Sequence, residues 1–144
     1  MKVLLAVDGS EFTKRILSHI AAHNELLGLG HEYTVLTVVA SIPSHAARFL
    51  DRATLESYYK EQAEHVLQPI AAFVEQNGWK ANLTHALGSP AEAIAKFAAT
   101  LKPDLIVMGS HGHSALGGMV LGSVASGVLA RCKAFQSLTR SAIL

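Results

Sequence analysis

Apolar residues in the first forty positions follow two different spacings. Residues 2–7 form a nearly continuous apolar run, which is typical of a strand buried on both faces of a sheet. From Phe12 the apolar positions recur at helical spacing until Gly28 and Gly30, which predict the end of a helix. Residues 33–40, YTVLTVVA, are β-branched and apolar and predict a second strand. The chain therefore begins as strand, helix, strand.

The middle of the chain resumes this alternation after a break. Residues 41–52 contain Pro43 and show no period, so we predict a loop there. A long apolar stripe then predicts a helix that ends at Gly78 and is kinked by the internal Pro69. The stripe comprises Tyr59, Ala63, Val66, Leu67, Ile70, Phe73 and Val74.

A third strand and a third helix follow. Residues 80–87, KANLTHAL, alternate as a strand whose one face carries Ala81, Leu83 and His85. Ser89, Pro90 and Glu92 then predict a helix start with a cap, a proline at the first helical position and a completed capping box. This helix is predicted to run to about Leu101.

The last elements complete an α/β pattern. Pro103 precedes a fourth apolar strand, DLIVMGS at 104–110, and residues 123–132 predict a fourth helix. Strands that alternate with helices imply parallel strands joined by right-handed crossovers, with helices on both faces of the sheet. We therefore expect one α/β domain over residues 1–144. In such sheets ligands bind beyond the carboxyl ends of the strands, near the point where the strand order reverses.

Composition restricts the classes of function. The 144 residues are 50% hydrophobic and 16% charged, as in globular proteins. A net charge of +1 without clustered Lys and Arg argues against a nucleic-acid partner. No apolar run reaches the roughly 18 residues of a membrane span, and Asp8 interrupts the first run too early for a signal peptide. The single cysteine, Cys132, favours a reducing compartment, so we expect a cytoplasmic protein without a membrane partner.

The glycines are concentrated in one charge-free stretch. Residues 108–130, MGSHGHSALGGMVLGSVASGVLA, hold six of the eleven glycines and no Lys, Arg, Asp or Glu. A strand that leads through a glycine loop into a helix can direct backbone N–H groups at an anion without a charged side chain. Gly118-Met119 replaces the Lys-Ser or Lys-Thr of a P-loop, and the Gly28-x-Gly30 segment lacks a third glycine and precedes a strand. Neither common phosphate fingerprint is therefore present.

The glycine spacing that remains is Gly109-x2-Gly112-x9-Gly122-Ser123. Together with MKVLLAVDGSE at the start, and with LTVVA, GSPAEAI and DLIVMGSHG in order, it resembles the ATP-binding branch of the universal stress protein family over about residues 1–132. The resemblance implies a Rossmann-like sandwich with a parallel sheet of order 3-2-1-4-5. It also implies an ATP-binding stress-response protein that acts as a nucleotide-dependent sensor or regulator. AMP or another adenine nucleotide is the alternative ligand.

On the adenosine side, the resemblance implies contacts from the ends of the first two strands. Ala6 and Asp8 would line this side, and Val38 would meet adenine through its main chain. Asp8 is also in position to cap the first helix, and the two roles are compatible.

On the phosphate side, the resemblance implies a loop and a helix start. The loop under the ribose and phosphates would comprise Met108, Gly109 and Gly112. The N–H groups that face the phosphate chain would belong to Gly122, Ser123 and Val124, with the Ser123 hydroxyl beside them. Mg²⁺ would neutralise part of the phosphate charge.

Two other functions stay open. A protein of this fold can act through protein–protein contacts without nucleotide. An enzyme of the related ATP-pyrophosphatase type would use a Ser-Gly-Gly-x-Asp-Ser loop, from which residues 6–10, AVDGS, depart. The sequence offers no evident general base, arginine finger or acidic metal pair, so any ATP hydrolysis should be slow.

The C-terminal end departs from the family pattern. Members commonly end with an apolar strand, introduced by Cys-Pro, that pairs across a two-fold axis in a homodimer. Residues 132–144, CKAFQSLTRSAIL, are much less continuously apolar. A homodimer is therefore expected, but its interface is left open.

Two pairs of histidines are candidates for other chemistry. His111 and His113 lie in the glycine stretch, where exposed loop histidines are the default and protonated ones would strengthen anion binding. His19 and His23 are four residues apart on the first helix but have no nearby Cys, Asp or Glu. We therefore predict a solvated helix face and no metal site there.

Overall fold

A computed structural model describes residues 1–23, 30–109 and 122–132. Within these residues the chain forms four strands and five helices. The strands are β1 (Lys2–Val7), β2 (Glu32–Val39), β3 (Ala81–Leu87) and β4 (Leu105–Met108). The helices are α1 (Glu11–Ala22), α2 (Ser44–Ala47), α3 (Arg52–Gln76), α4 (Pro90–Leu101) and α5 (Ser123–Arg131).

The four strands form one parallel sheet of order β3-β2-β1-β4. β1 is central, and its Val3 is in register with Tyr33 of β2 and with Leu105 of β4. The predicted α/β fold with a parallel sheet and helices on both faces is therefore confirmed. The predicted fifth strand would fall in residues 133–144, which lie outside the described residues.

One face of the sheet packs against α1 and α3. β1 directs Val3, Leu5 and Val7 to this face, as expected from strand alternation. An aromatic cluster closes its amino-terminal end: Tyr33 stacks on Trp79 with 5.1 Å between ring centroids, and Phe73 meets Trp79 edge-on at 5.5 Å. Burial raises the pKa of Tyr33.

The other face packs against α4 and α5. Its core comprises Leu4, Leu36, Ile94, Ala98, Ile106, Met108, Ala125 and Val128. The two helices approach closely where Gly127 of α5 faces Ala91 of α4. A Cβ added to Gly127 would lie 2.6 Å from the Ala91 Cβ, which is closer than two such atoms can approach. Glycine at position 127 therefore permits the contact between these helices.

Most of the predicted elements are confirmed, but the predicted loop over 41–52 is wrong. The single turn of α2 lies within it, at Ser44–Ala47. It begins after Pro43, whose carbonyl accepts hydrogen bonds from the N–H groups of Ala46 and Ala47, both at 2.9 Å. A helix of four residues is too short to show a hydrophobic period, so the pattern did not indicate it.

Two helix ends also differ in detail. α1 ends at Ala22 with His23 as its C-cap, before the predicted glycine stop. Ser89 is the N-cap of α4 and Pro90 follows it, as predicted, but the Ser89 side chain makes no capping hydrogen bond. Because Ser89 is exposed, water can accept hydrogen bonds from the first N–H groups of α4 instead. No helix in the described ranges combines the length and apolar content needed to cross a bilayer.

Candidate functional site

The strand order reverses beside β1. The chain leaves β1 through α1 to reach β2 on one side, and later reaches β4 on the other side. The carboxyl ends of β1 and β4 are adjacent, because Ala6 is in register with Met108. In open parallel sheets this reversal point opens a crevice where ligands bind. The segments that leave these two strands begin at Asp8 and Gly109.

A tight turn after β1 orders the Asp8 carboxylate. Asp8 Oδ1 accepts a hydrogen bond from the Ser10 N–H at 2.9 Å and another from the Thr13 hydroxyl at 3.2 Å. The Asp8 N–H donates to Thr13 Oγ1 at 3.3 Å. Gly9 follows Asp8 in this turn and has a φ of +77°, a backbone conformation that favours glycine. The carboxylate therefore stays exposed at the end of β1, in an orientation set by the turn.

Ser10 begins α1 in an unusual way. It is the N-cap residue, but its side chain makes no capping hydrogen bond. Its Oγ is buried and has no hydrogen-bond partner among the described residues. Buried hydroxyls normally have a hydrogen-bond partner, which an ordered water can also supply.

The side chains of several predicted site residues share one face of the sheet. Ala6, Val38 and Val124 are half-buried and pack against the core between the sheet, α4 and α5. Met108 is a buried member of that core, with 4% of its surface exposed. The structure therefore brings residues from β1, β2, β4 and α5 to the same layer.

Gly122 begins α5 without a side-chain cap. It is the N-cap residue, with φ of −59° and ψ of 156°, and its carbonyl accepts the Ser126 N–H at 3.0 Å. The N–H groups of the first helical turn have no acceptor within a helix, and the helix dipole makes this end positive. Ser123 is exposed at this position. The start of α5 can therefore accept an anion through its backbone.

The comparisons with known proteins agree with this architecture. The sequence pattern of the Universal stress protein family matches residues 1–134, which is most of the chain. The chain belongs to the universal stress protein family.

Individual relatives show how far the likeness extends. This universal stress protein is 31% identical over 134 residues to universal stress protein YxiE of Bacillus subtilis, across 85% of this chain and 87% of the relative. Its fold matches the structure of MJ0577 of Methanocaldococcus jannaschii with a TM-score of 0.74 at 30% identity, across 92% and 90% of the two chains. A family protein of Arabidopsis thaliana with AMP bound has the same fold, with a TM-score of 0.63 at 19% identity and coverage of 92% and 86%.

Other predicted residues of this universal stress protein have different outcomes. Gly112, His111 and His113 lie outside the described residues. His19 and His23 place their ring centroids 4.2 Å apart, and His23 Nδ1 donates to the His19 carbonyl at 2.9 Å. Among the described residues, no group of three or more His, Cys, Asp or Glu side chains is placed to hold a metal ion.

Sequence reasoning missed three features of the site. Thr13 is buried beneath Asp8, the Ser10 hydroxyl is buried without a described partner, and Gly127 fixes the approach of α5 to α4. The spacing Asp8-x4-Thr13 was a usable signal, since a polar residue in the first turn can reach back to the strand end. Nothing in the sequence could have paired Gly127 with Ala91, because that contact joins distant segments.

Proposed function

We propose that this universal stress protein binds ATP and acts as a nucleotide-dependent sensor or regulator, with at most slow hydrolysis. The observation that carries the proposal is the convergence of Ala6, Val38, Met108 and Val124 on one face, beside the strand-order reversal. The AMP-bound Arabidopsis protein, which has the same fold, supports an adenine nucleotide as the class of ligand. AMP or another adenine nucleotide is the alternative ligand.

The phosphates would bind at the start of α5. The backbone N–H groups of Gly122, Ser123 and Val124 would donate to phosphate oxygens, and the helix dipole would add roughly 0.3–2 kcal/mol. Gly122 has no side chain that could occupy these donors, which supports the assignment. Met108 and Gly109 would begin the loop under the ribose and phosphates. The part assigned to Gly112 stays a prediction.

The adenosine would lie over the ends of β1 and β2. Ala6 and Val38 are half-buried, and their apolar side chains would pack against the flat face of the base. The Asp8 carboxylate only accepts hydrogen bonds, so it would bind a donor, either a ribose hydroxyl or the adenine amino group.

Mg²⁺ would bind mainly to the phosphates. The described residues offer no cluster of three metal-binding side chains, and Mg²⁺ bound with nucleotides commonly keeps waters and phosphate oxygens as ligands. The proposal of slow hydrolysis rests on the sequence, which offers no evident general base, arginine finger or acidic metal pair.

The proposal includes a homodimer in the cytoplasm. Within the described residues β4 pairs only with β1, which leaves its other edge for a fifth strand or for a second chain. Burial raises the pKa of the Cys132 thiol, as expected for a cysteine with a packing role. Mass measurement in solution, with and without ATP, tests the dimer.

Calorimetric titration with ATP and Mg²⁺ tests the nucleotide. We expect a dissociation constant near micromolar, about −8 kcal/mol, for the wild-type protein. Gly122→Val places a branched side chain at the start of α5 and should weaken binding by about tenfold or more, because it disturbs charge-assisted N–H bonds. Ser126→Ala is the matched control, since Ser126 is exposed on the same helix, and it should bind like the wild type.

The absence of heat from the wild-type protein would overturn the proposal, once its absorbance spectrum has excluded co-purified nucleotide. The alternative function, which acts through protein–protein contacts without nucleotide, would then replace it. Equal affinities of the Gly122→Val variant and the wild type would show that the phosphates do not bind at the start of α5.

A further inference from the structure

Thr13 is a buried polar residue in the first turn of α1. Only 4% of its surface is exposed, and its neighbours on the inner side of this helix, such as Ile16 and Leu17, are apolar. A hydroxyl buried there destabilises the fold unless it forms hydrogen bonds. Its partners therefore show what it is used for.

Thr13 Oγ1 forms two hydrogen bonds with Asp8. The hydroxyl donates to Asp8 Oδ1 at 3.2 Å and accepts the Asp8 N–H at 3.3 Å. A hydroxyl has one proton, so its single donor is committed to this carboxylate. The Ser10 N–H binds the same oxygen at 2.9 Å. Two donors on one oxygen hold the carboxylate in one orientation.

This arrangement differs from an ordinary helix cap. Thr13 is the third helical residue, and in a capping box the side chain at this position reaches back to the N–H of the N-cap residue. Here the N-cap N–H, that of Ser10, is bound by Asp8 instead. Thr13 reaches past the N-cap to the end of β1. Its hydroxyl therefore orders Asp8, at the edge of the sheet where the strand order reverses.

We infer that Thr13 is a positioning residue for the nucleotide, acting through Asp8. This inference rests on the proposed ATP site and adds to it a residue that does not itself touch the ligand. Loss of the Thr13 hydrogen bond would let the exposed Asp8 carboxylate sample more rotamers, and ordering it before binding lowers the entropic cost of binding. The ordered carboxylate then accepts a hydrogen bond from the adenosine part of the ligand.

A double-mutant cycle tests the inference. ATP affinity is measured by calorimetry for the wild type, Thr13→Val, Asp8→Ala and the double variant. Thr13→Val keeps the shape of the side chain and removes the hydroxyl, so we expect about tenfold weaker binding. In the Asp8→Ala background the same change should cost no further affinity, because Thr13 acts through Asp8. Thr13→Ser, which restores the hydroxyl, should bind nearly as tightly as the wild type.

Each contrary result has a distinct meaning. A folded Thr13→Val protein with wild-type affinity, or an equal loss in both backgrounds, overturns the inference and leaves the ATP site intact. Wild-type affinity of Asp8→Ala also overturns it, and this result does not depend on whether Thr13→Val folds. A wild-type protein that does not bind ATP overturns both the inference and the proposed function. Thermal unfolding of every variant separates lost affinity from lost structure.

Discussion

The two faces of the sheet differ in the size of the side chains that fill them. The face under α1 and α3 holds Tyr33 and Trp79 in its core, with Phe73 against them. The fully buried residues under α4 and α5 are all non-aromatic and include alanines in both helices, Ala98 and Ala125, although the half-buried Phe97 packs against them. Large aromatic rings bury much apolar area, whereas small residues let helices approach the sheet and one another. We therefore expect the first face to contribute more to stability and the second to position the candidate site.

The proposed ligand contacts follow this division. The side chains of Ala6, Val38, Met108 and Val124 all belong to the face under α4 and α5. The closest helix approach, Gly127 against Ala91, belongs to the same face. A substitution in the aromatic cluster of Tyr33, Phe73 and Trp79 should therefore change stability alone, and one at the contact between α4 and α5 should change binding as well.

The largest expected effect is that of Trp79→Ala. Trp79 is buried between Tyr33 and Phe73, so its truncation should lower the free energy of unfolding by about 3–5 kcal/mol and leave ATP affinity unchanged. Urea unfolding followed by far-ultraviolet circular dichroism measures it, because Trp79 is the single tryptophan and its fluorescence is lost in the variant. Trp79→Phe is the control and should lose much less stability. A loss of ATP affinity in folded Trp79→Ala would contradict the division between the faces.

A smaller effect on stability and a larger one on binding are expected for Gly127→Ala. Alanine favours a helix by about 1 kcal/mol over glycine, but overpacking costs about 1–3 kcal/mol. The cost of overpacking should exceed the gain in helix propensity, because the added methyl group would lie 2.6 Å from the Ala91 Cβ, which cannot rotate away. Displacing α5 also moves the start of the helix, so ATP binding should weaken. Chemical unfolding and calorimetry measure the two effects.

Ala91→Gly provides the matched test of that contact. Combined with Gly127→Ala it removes the clashing methyl group, so the double variant should recover both stability and ATP affinity relative to Gly127→Ala alone. Additive losses in the double variant would show that Gly127 acts through something other than its distance from Ala91.

The fold could be predicted from the sequence where local chemistry decides it. β1 lies at Lys2–Val7 as predicted, because a continuous apolar run can be satisfied only inside a sheet. α4 begins at Pro90 and ends at Leu101, since proline is favoured at the first helical position and Pro103 prevents continuation. The helix α2 was missed because four residues carry no period.

The candidate site could be predicted in part. The family resemblance implied Ala6, Val38 and Met108, and parallel strands place the ends of β1, β2 and β4, which carry them, at one edge of the sheet. The spacing Asp8-x4-Thr13 indicated that Thr13 could reach Asp8, but the burial of Thr13 could not be predicted, because its position on α1 is equally compatible with a solvent-facing residue. The contact of α4 with α5 depends on packing between segments far apart in the chain, which spacing along the sequence does not encode.

The smallest expected effect concerns the start of α3, on the aromatic face. Asp51 caps this helix by accepting the Thr54 N–H at 2.6 Å, and hydrogen bonds from the Thr54 side chain and backbone lower the pKa of Asp51. A lowered pKa in the folded state means that the cap stabilises the fold above the unfolded pKa of about 3.9 and that this contribution is lost as the pH falls through the folded value. Asp51→Asn keeps a capping oxygen without the titration.

Thermal unfolding of the wild type and of Asp51→Asn, measured from about pH 7 down to about pH 2, tests this sign. The wild type should have the higher Tm near neutral pH, and its advantage should shrink or reverse in acid. Asp51 is exposed, so salt should also reduce the difference. A constant difference in Tm across the pH range would show that the Asp51 charge does not stabilise the start of α3. ATP affinity at neutral pH should be the same in both proteins, because Asp51 is not among the proposed site residues.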